Sequence, residues 1–493
     1  MMQREFLQRA QGIATHGLGL SVDVYSPDVM EVISALRDVG LVPHYLEMFK
    51  ATTVALRWVR RQLPDMKLTY HGEGLWVTQP DFQDSCSGQR GVVEACAQLT
   101  ALESAWLNHE CATKYMAGYA FGTYLPPLYS DLSARVTADN LCFLQDQLDR
   151  QVRLQGGHTP LVLLEMPPLT YFACGSLPIA DFFRMVIQRT PCGLVLDIGH
   201  LWTVYRYTGA WRQQSLQAFA AEFLEAFPLD RVVEIHVAGL AAAEAWPRSG
   251  QEREPAPPLW IDAHGAPIPD VLFDLLEQVL AHPGLGFLKG VALEVDTKSV
   301  GTIVTEFGRF VSRFEAQVRH REVSGVAGFA VPEDTQAGGP QPAEAGLTAD
   351  ERAAVSRQYE RYVRMVTTPY VEPMGKDCAL LGGTTEDLDR YRESYLPNEL
   401  LHWGGELVDM FPKTCRLLGA ASKSLEGFIP FWFERPRPAV EDYDFFLLKI
   451  DRFAEFAASI YPPVAETVMT EAEELRSAYR LANEPIDSTE VRA

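Results

Sequence analysis

The residues best suited to chemistry sit at the ends of short apolar runs in the first 300 or so positions. Leu161-Val-Leu-Leu runs into Glu165, Gly193-Leu-Val-Leu into Asp197 with His200 just beyond, and Glu234-Ile235 into His236. An earlier run leads into Glu47, another ends in His71-Gly72-Glu73-Gly74, a third in Asn108-His109-Glu110, and the last in Glu294 with Asp296 close behind. Trp260-Ile261-Asp262-Ala263-His264-Gly265 lies between the last two runs. Carboxylates gathered in one buried place repel each other and lose solvation unless they are protonated or meet cations. No comparable set of Lys or Arg accompanies these positions, so bound metal is the simplest counter-charge, with neutral imidazoles as further ligands. Taken singly, each residue has a plainer role: a strand-end His hydrogen-bonded in place, Glu165 paired with a core Arg, Asp262 capping a turn. Six or more on successive strand ends point instead to metal, and to more than one ion. Imidazole with carboxylate and no Cys suits iron, manganese or zinc.

Those runs must be strands for the residues to converge. Eight are expected, over 18–24, 43–49, 67–71, 105–110, 161–166, 193–198, 232–237 and 290–295. Amphipathic helical segments over 27–38, 137–154, 179–189, 215–227 and 269–280 lie between them. Eight strands alternating with helices over this length predict an α/β protein with a (β/α)₈ barrel, whose active site lies at the C-terminal strand ends. Residues 1–320 would form that barrel. Residues 321–350, rich in Gly, Pro and Ala, read as a flexible linker. Residues 351–485 carry helical spacing over 349–365, 384–410, 443–459 and 464–482, with Trp403, Phe431, Trp432 and Phe433 as core material, and predict a smaller all-α domain. Residues 486–493 form a polar tail.

Composition narrows the function classes. The 493 residues exceed one ordinary core, and Lys+Arg 43 against Asp+Glu 65 gives a net charge of -22, which argues against nucleic acid as partner. No run is long and apolar enough for a membrane span, and no apolar core of signal-peptide length follows the first charges. The eight cysteines are scattered without a CxxC pair, so a reducing, cytoplasmic compartment fits.

In the order His71-Gly-Glu-Gly-Leu75, Asn108-His109-Glu110, Leu164-Glu165, Gly193-Leu-Val-Leu-Asp197, Glu234-Ile-His236-Val-Ala-Gly239, Asp262-Ala-His264-Gly265 and Leu293-Glu294, the chain resembles the multinuclear non-heme iron-dependent oxidative enzymes. These are barrels related to the xylose-isomerase-like fold, and they include the enzyme that makes the copper-binding groups of methanobactin. The resemblance covers most of residues 10–300. It implies two or three irons, mixed in valence, on His71, His109, Glu165, Asp197, His236, Asp262, His264 and Glu294, with O₂ as co-substrate. His200 stands where many members carry Asn, and Met166-Pro167-Pro168 follows Glu165 where the family usually has Asn. Glu73 and Glu110 are candidate acids beside the ligands. Tyr391-Arg392-Glu393-Ser394-Tyr395 and the stretch from Phe411-Pro412-Lys413 to Gly419 resemble the small partner proteins that present a precursor peptide to these enzymes, here fused in cis.

The reading that results is an O₂-dependent oxidase acting on a cysteine of a ribosomally made precursor peptide, with an oxazolone, a thiooxazole or a carbon-excised product left open. Two alternatives use similar residues. One is a divalent-metal sugar isomerase, epimerase or endonuclease-like phosphodiesterase on the same barrel; the other is a non-catalytic metal-binding protein.

Overall fold

Parallel strands buried on both faces need near-continuous apolar sequence, and this chain supplies it in runs such as Leu161–Glu165 and Gly193–Asp197, whose every residue is buried. In the computed structural model, which describes residues 2–49, 51–154, 158–242, 257–324, 346–368, 378–402, 405–434 and 444–483, these runs close into a barrel. Its strands are β1 (Gly17–Asp23), β2 (Tyr45–Phe49), β3 (Lys67–His71), β4 (Trp106–Glu110), β5 (Leu161–Glu165), β6 (Gly193–Asp197), β7 (Val232–Val237) and β8 (Gly290–Glu294). All neighbours pair in parallel, and β8 closes on β1. The eight expected strands are these eight, their ends moved by at most two residues.

Helices α1 (Met2–Gly12), α2 (Val29–Asp38), α3 (Thr53–Gln62), α4 (Cys86–Leu102), α5 (Asp131–Gln151), α6 (Ile179–Arg189), α7 (Ile198–Tyr207), α8 (Leu216–Ala226), α9 (Asp270–Ala281) and α10 (Val300–Ser324) accompany the strands. Side-chain caps fix several of their starts: Asp28, Thr52, Ser85, Ser130, Asp197 and Ser215 each accept a backbone N–H of the first turn. Ser130 explains why α5 begins six residues before the expected 137. Helix α1 lies under the barrel floor, where Phe6 and Ala10 pack with Tyr45, Trp106, Leu161 and Val233.

The chain after residue 345 is helical, as expected, but differently divided. It forms α11 (Ala349–Thr367), α12 (Thr385–Arg390), a π-helical turn (Tyr391–Tyr395), α13 (Leu396–His402), α14 (Leu407–Met410), α15 (Pro412–Ala420), α16 (Phe428–Trp432), α17 (Phe445–Ile460) and α18 (Ala465–Asn483). The single helix expected over 384–410 is therefore broken. Pro397 brings no N–H to the ladder, and Gly405 at φ 117° lies in backbone that only glycine adopts readily. The linker over 325–345, the tail and Trp403 lie outside the described residues.

Helix α11 docks on α5. Ser133 Oγ meets the Tyr359 hydroxyl at 2.7 Å, and that hydroxyl donates to the Thr78 carbonyl at 2.6 Å. Tyr362 donates to the Pro126 carbonyl at 3.1 Å, and Trp432 Nε1 to the Ala120 carbonyl at 2.7 Å. Ala120 belongs to a hairpin, Thr113–Met116 with Tyr119–Leu125, whose turn residues Ala117 and Gly118 both have positive φ. The apolar core is continuous from the barrel's outer face into these helices. All eight cysteines are free thiols, and no helix among the described residues is long and apolar enough to cross a membrane.

Tyr359→Phe strands the Ser133 hydroxyl and the Thr78 carbonyl, and we expect a loss of about 1–3 kcal/mol, read as a lower urea midpoint at unchanged slope. An unchanged midpoint would mean that this contact does not hold the helical segment to the barrel.

Candidate metal centre at the barrel mouth

The parallel register brings the acid and imidazole positions to one level. Glu47 and Glu294 both pair with Ser21, Asp197 pairs with His236, and Glu110 with Glu165. Asp197 ends β6 and caps α7 at once, its Oδ1 accepting from His200 N at 2.6 Å. No loop intervenes, so His200 reaches the mouth from the first turn of α7. Asp262 and His264 arrive on another hairpin, Leu240–Ala242 with Trp260–Asp262. Gly239 precedes it because a Cβ there would stand 2.0 Å from the Ala266 carbonyl.

Around His236 the side chains converge. Its Nδ1 lies 3.3 Å from Glu165 Oε1 and 3.2 Å from Glu294 Oε1; its Nε2 lies 3.1 Å from Glu47 Oε1 and 3.6 Å from Glu234 Oε2. His71 Nε2 is 3.2 Å from Glu165 Oε2, and His200 Nε2 is 3.8 Å from both Asp197 and Asp262. His264 Nε2 is 3.3 Å from Asp262 Oδ2 and 3.4 Å from Glu294 Oε2. Within this set, Glu165, Asp197 and His236 offer ligand atoms that all lie within 4.8 Å of one another, and so do Glu47, Glu234 and His236.

Proximity is not pairing here. Glu47 Oε2, Glu165 Oε1, Asp197 Oδ2, His200 Nε2, both ring nitrogens of His236, Asp262 Oδ1 and Glu294 Oε2 are buried without a hydrogen-bond partner. Buried polar atoms without partners are costly, and this many aimed at one place fit a metal cluster that the donors would surround. The opposite nitrogens are held by fixed acceptors. His200 Nδ1 contacts the Met166 carbonyl at 2.6 Å, His264 Nδ1 contacts Asp296 Oδ1 at 2.5 Å, and His71 Nδ1 contacts the Gly72 carbonyl at 3.1 Å. Such contacts fix the rings so that Nε2 would face a metal, and they would raise its basicity.

Charge follows the same geometry. Burial opposes the charge on His71, but Glu165 bonded to it and Glu47 nearby outweigh that and hold the imidazole up at about 9. His200, His236 and His264 are likewise raised against their burial by the surrounding carboxylates. Burial pushes Asp197 up to about 7, with Glu294 and Glu165 adding to it. Glu110, half-buried over the cluster, also stands at about 7 through burial, in the field of His200 and Glu165.

Two expected site residues stand apart from the cluster. His109 has both nitrogens engaged by the main chain, Nδ1 with the Glu110 carbonyl at 2.7 Å and Nε2 accepting from Leu75 N at 3.0 Å. Burial lowers its pKa to about 3, so it stays neutral as a brace for the loop after β3. Glu73 sits at the rim, 3.0 Å from Lys114 of the first hairpin. Sequence reasoning set Glu47, Asn108, Glu234 and Asp296 among the strand-end motifs but gave none of them a role as ligand or ligand partner. Glu234 had a signal: two residues before His236 on one strand, it shares that residue's face. Asn108 had none, although its Nδ2 donates to Glu165 Oε2 at 2.7 Å.

The family described as "RiPP precursor modification enzyme MbnB/TglH/ChrH" matches residues 16–302, which is more than half of the chain. The chain belongs to this family. A UPF0276 protein of Paraburkholderia phytofirmans is 28% identical over 189 residues, 38% of this chain and 52% of that relative, so the chain spans about half of its length. One from Caulobacter vibrioides is 27% identical over 249 residues, 49% of this chain and 74% of its own. Among solved structures, endonuclease IV from Thermus thermophilus aligns at 14% identity and TM-score 0.38, covering 61% of this chain and 99% of that one. A D-allulose 3-epimerase from Methylomonas sp. aligns at 13% identity and TM-score 0.38, covering 61% and 100%. Likeness at that level carries nothing toward the chemistry of this chain.

Metal uptake and protonation compete at these imidazoles. With its folded pKa at about 9, above the ordinary 6.5, His71 stabilises the metal-free protein below about 6.5, and that stability is lost as pH rises through 9. A metal binds the neutral ring, so we expect the opposite trend for affinity: uptake releases protons and tightens from pH 6.5 to 9. Calorimetric titration in buffers of different ionisation heat measures the release, and a release of zero would remove these imidazoles from the ligand set. Asp296→Ala, which removes the acceptor holding His264 Nδ1, should weaken metal affinity about 10- to 100-fold in a chelator competition.

Proposed function

We propose that this chain oxidatively modifies a cysteine of a ribosomally made precursor peptide, using O₂ and two or three irons held by His71, Glu165, Asp197, His200, His236, Asp262, His264 and Glu294, with Glu47 adjoining. The observation that carries the reading is the set of partnerless, buried carboxylate and imidazole atoms at the mouth of a barrel of this family. His109 is left out of the ligand set because its ring is already spent on the main chain. Iron bound there supplies the one-electron chemistry with O₂ that none of the side chains has.

The chain's own residues would prepare the substrate. Glu110, a half-buried carboxylate near neutrality that feels His200 and Glu165, is suited to take the thiol proton of an arriving cysteine. Lys114, 3.0 Å from Glu73 and 4.4 Å above the Tyr124 ring, fixes the rim on the hairpin side. Tyr395 closes the roof from the π-helical turn, 3.1 Å from Thr123 Oγ1 and 6.0 Å from the Tyr171 ring. The helical part, 351–485, we read as the peptide-presenting part. A cavity of about 710 Å³ lies between it and the hairpin, lined by Ala117, Tyr119, Val363, Arg364, Ile429 and Phe433, and offers an apolar floor with charged edges for the peptide.

Iron content of the anaerobically purified protein, followed by incubation with O₂ and a Cys-containing peptide encoded nearby, tests the reading. We expect two or three irons and an oxidative mass change on the peptide, both lost in His236→Ala. Stoichiometric zinc or manganese with no iron would overturn it in favour of isomerase or phosphodiesterase chemistry.

A further inference from the structure

The layer beneath the metal centre is unusual for a barrel. Such interiors are ordinarily filled by branched aliphatic side chains. Here Tyr45, Trp106 and Glu234, each fully buried, occupy it. The slot for Tyr45 is opened by two glycines: a Cβ at Gly19 would lie 2.4 Å from its ring, and one at Gly290 2.6 Å from its hydroxyl. Tyr45 donates to Glu234 Oε1 at 2.7 Å and Trp106 Nε1 to Glu234 Oε2 at 2.8 Å. That same Oε2 is 3.6 Å from His236 Nε2.

Below, the aromatic contacts continue to the opposite face. The Tyr45 and Trp106 rings are 6.1 Å apart, and the His16 ring lies 4.3 Å from Trp106 and 5.4 Å from Tyr45. His16 lines two cavities of about 640 and 510 Å³ on the floor. The larger is edged by Arg37, His44, Lys67 and Arg319 with Asp65, a cationic opening on a chain whose net charge is -22.

We propose that the floor is a point of electron uptake. A small anionic one-electron reductant of the ascorbate class docks in the larger cavity, and Trp106, with Tyr45 beside it, relays the electron to the metal centre. The relay rests on the iron reading above. Its task would arise if iron held there were oxidised by O₂ in the absence of peptide. Trp106 then gives up one electron, and the centre is reduced by one. The indole radical cation keeps its Nε1–H on Glu234, an acceptor whose polarity stabilises positive charge on the ring. The reductant returns one electron to Trp106 and is itself oxidised by one. Within the protein no bond forms or breaks, and the reductant, an ascorbate-class monoanion, releases its enolic O–H proton to solvent as it becomes the radical anion. Electron transfer falls steeply with distance, so rings in contact divide one long jump into short ones.

Anaerobic stopped-flow mixing of the iron-loaded, air-oxidised full chain with ascorbate, without peptide, reads the loss of ferric absorbance. We expect Trp106→Phe, with unchanged iron content, to slow it about tenfold or more. Arg37→Glu with Lys67→Glu, both at exposed positions, tests the floor even if the Trp106 variant fails to fold. That pair should slow reduction by ascorbate about tenfold at low salt, less at high salt, and leave reduction by a neutral hydroquinone unchanged. Wild-type rates in folded Trp106→Phe, or in the charge-reversed pair, overturn the relay and leave the iron reading standing. No ferric absorbance in the wild type would sink the iron reading and the relay with it.

Discussion

Everything in this molecule is arranged around a set of carboxylates and imidazoles that are buried together, several of their oxygen and nitrogen atoms having no hydrogen-bond partner among the described residues. Desolvation alone would drive Glu47, Glu165 and Asp197 toward protonation, and repulsion among the carboxylates adds to it. The imidazoles of His71, His200, His236 and His264 offset part of that by taking up protons. Cations of higher charge do the same without holding protons on the very atoms that should ligate. The electrostatic cost of this arrangement and its capacity to hold metal have one origin.

Holding such a set requires a scaffold that does not relax. A closed parallel barrel has no edge to slide, and its register fixes the level of each strand-end residue. Main-chain acceptors then fix ring orientation: the Met166 carbonyl for His200 and the Gly72 carbonyl for His71. The Pro-rich segment after Glu165 thus has a use, since it presents the Met166 carbonyl to α7. Lys298, paired with Glu306, anchors the loop that carries Asp296 to His264.

The two ends of the barrel are covered differently. Helix α1 plugs the floor with Phe6 against an interior layer that is aromatic and acidic. The mouth is overhung by the 113–125 hairpin, and the C-terminal helices brace that hairpin through Trp432 and Tyr395. The same segment that would present a substrate also shapes the wall of the site.

Alternation of apolar runs and amphipathic stretches was enough to place the barrel strands, because a strand buried on both faces admits little but Val, Leu and Ile before its polar end. That same logic picked out Glu165, Asp197, His236 and Glu294, which end strands and point inward. It could not foresee that His109, an equally good strand-end histidine, accepts at Nε2 from the backbone N–H of Leu75, 34 residues earlier. Nor does apolar periodicity divide 384–410 correctly, since it is blind to the backbone effects of Pro397 and Gly405. The sequence by itself determined the fold class, the level at which the charged residues collect and the family. Only the tertiary structure decided how the nitrogens of each histidine are engaged and what lies beneath the cluster, because those depend on partners far away in the chain that meet only when the barrel closes.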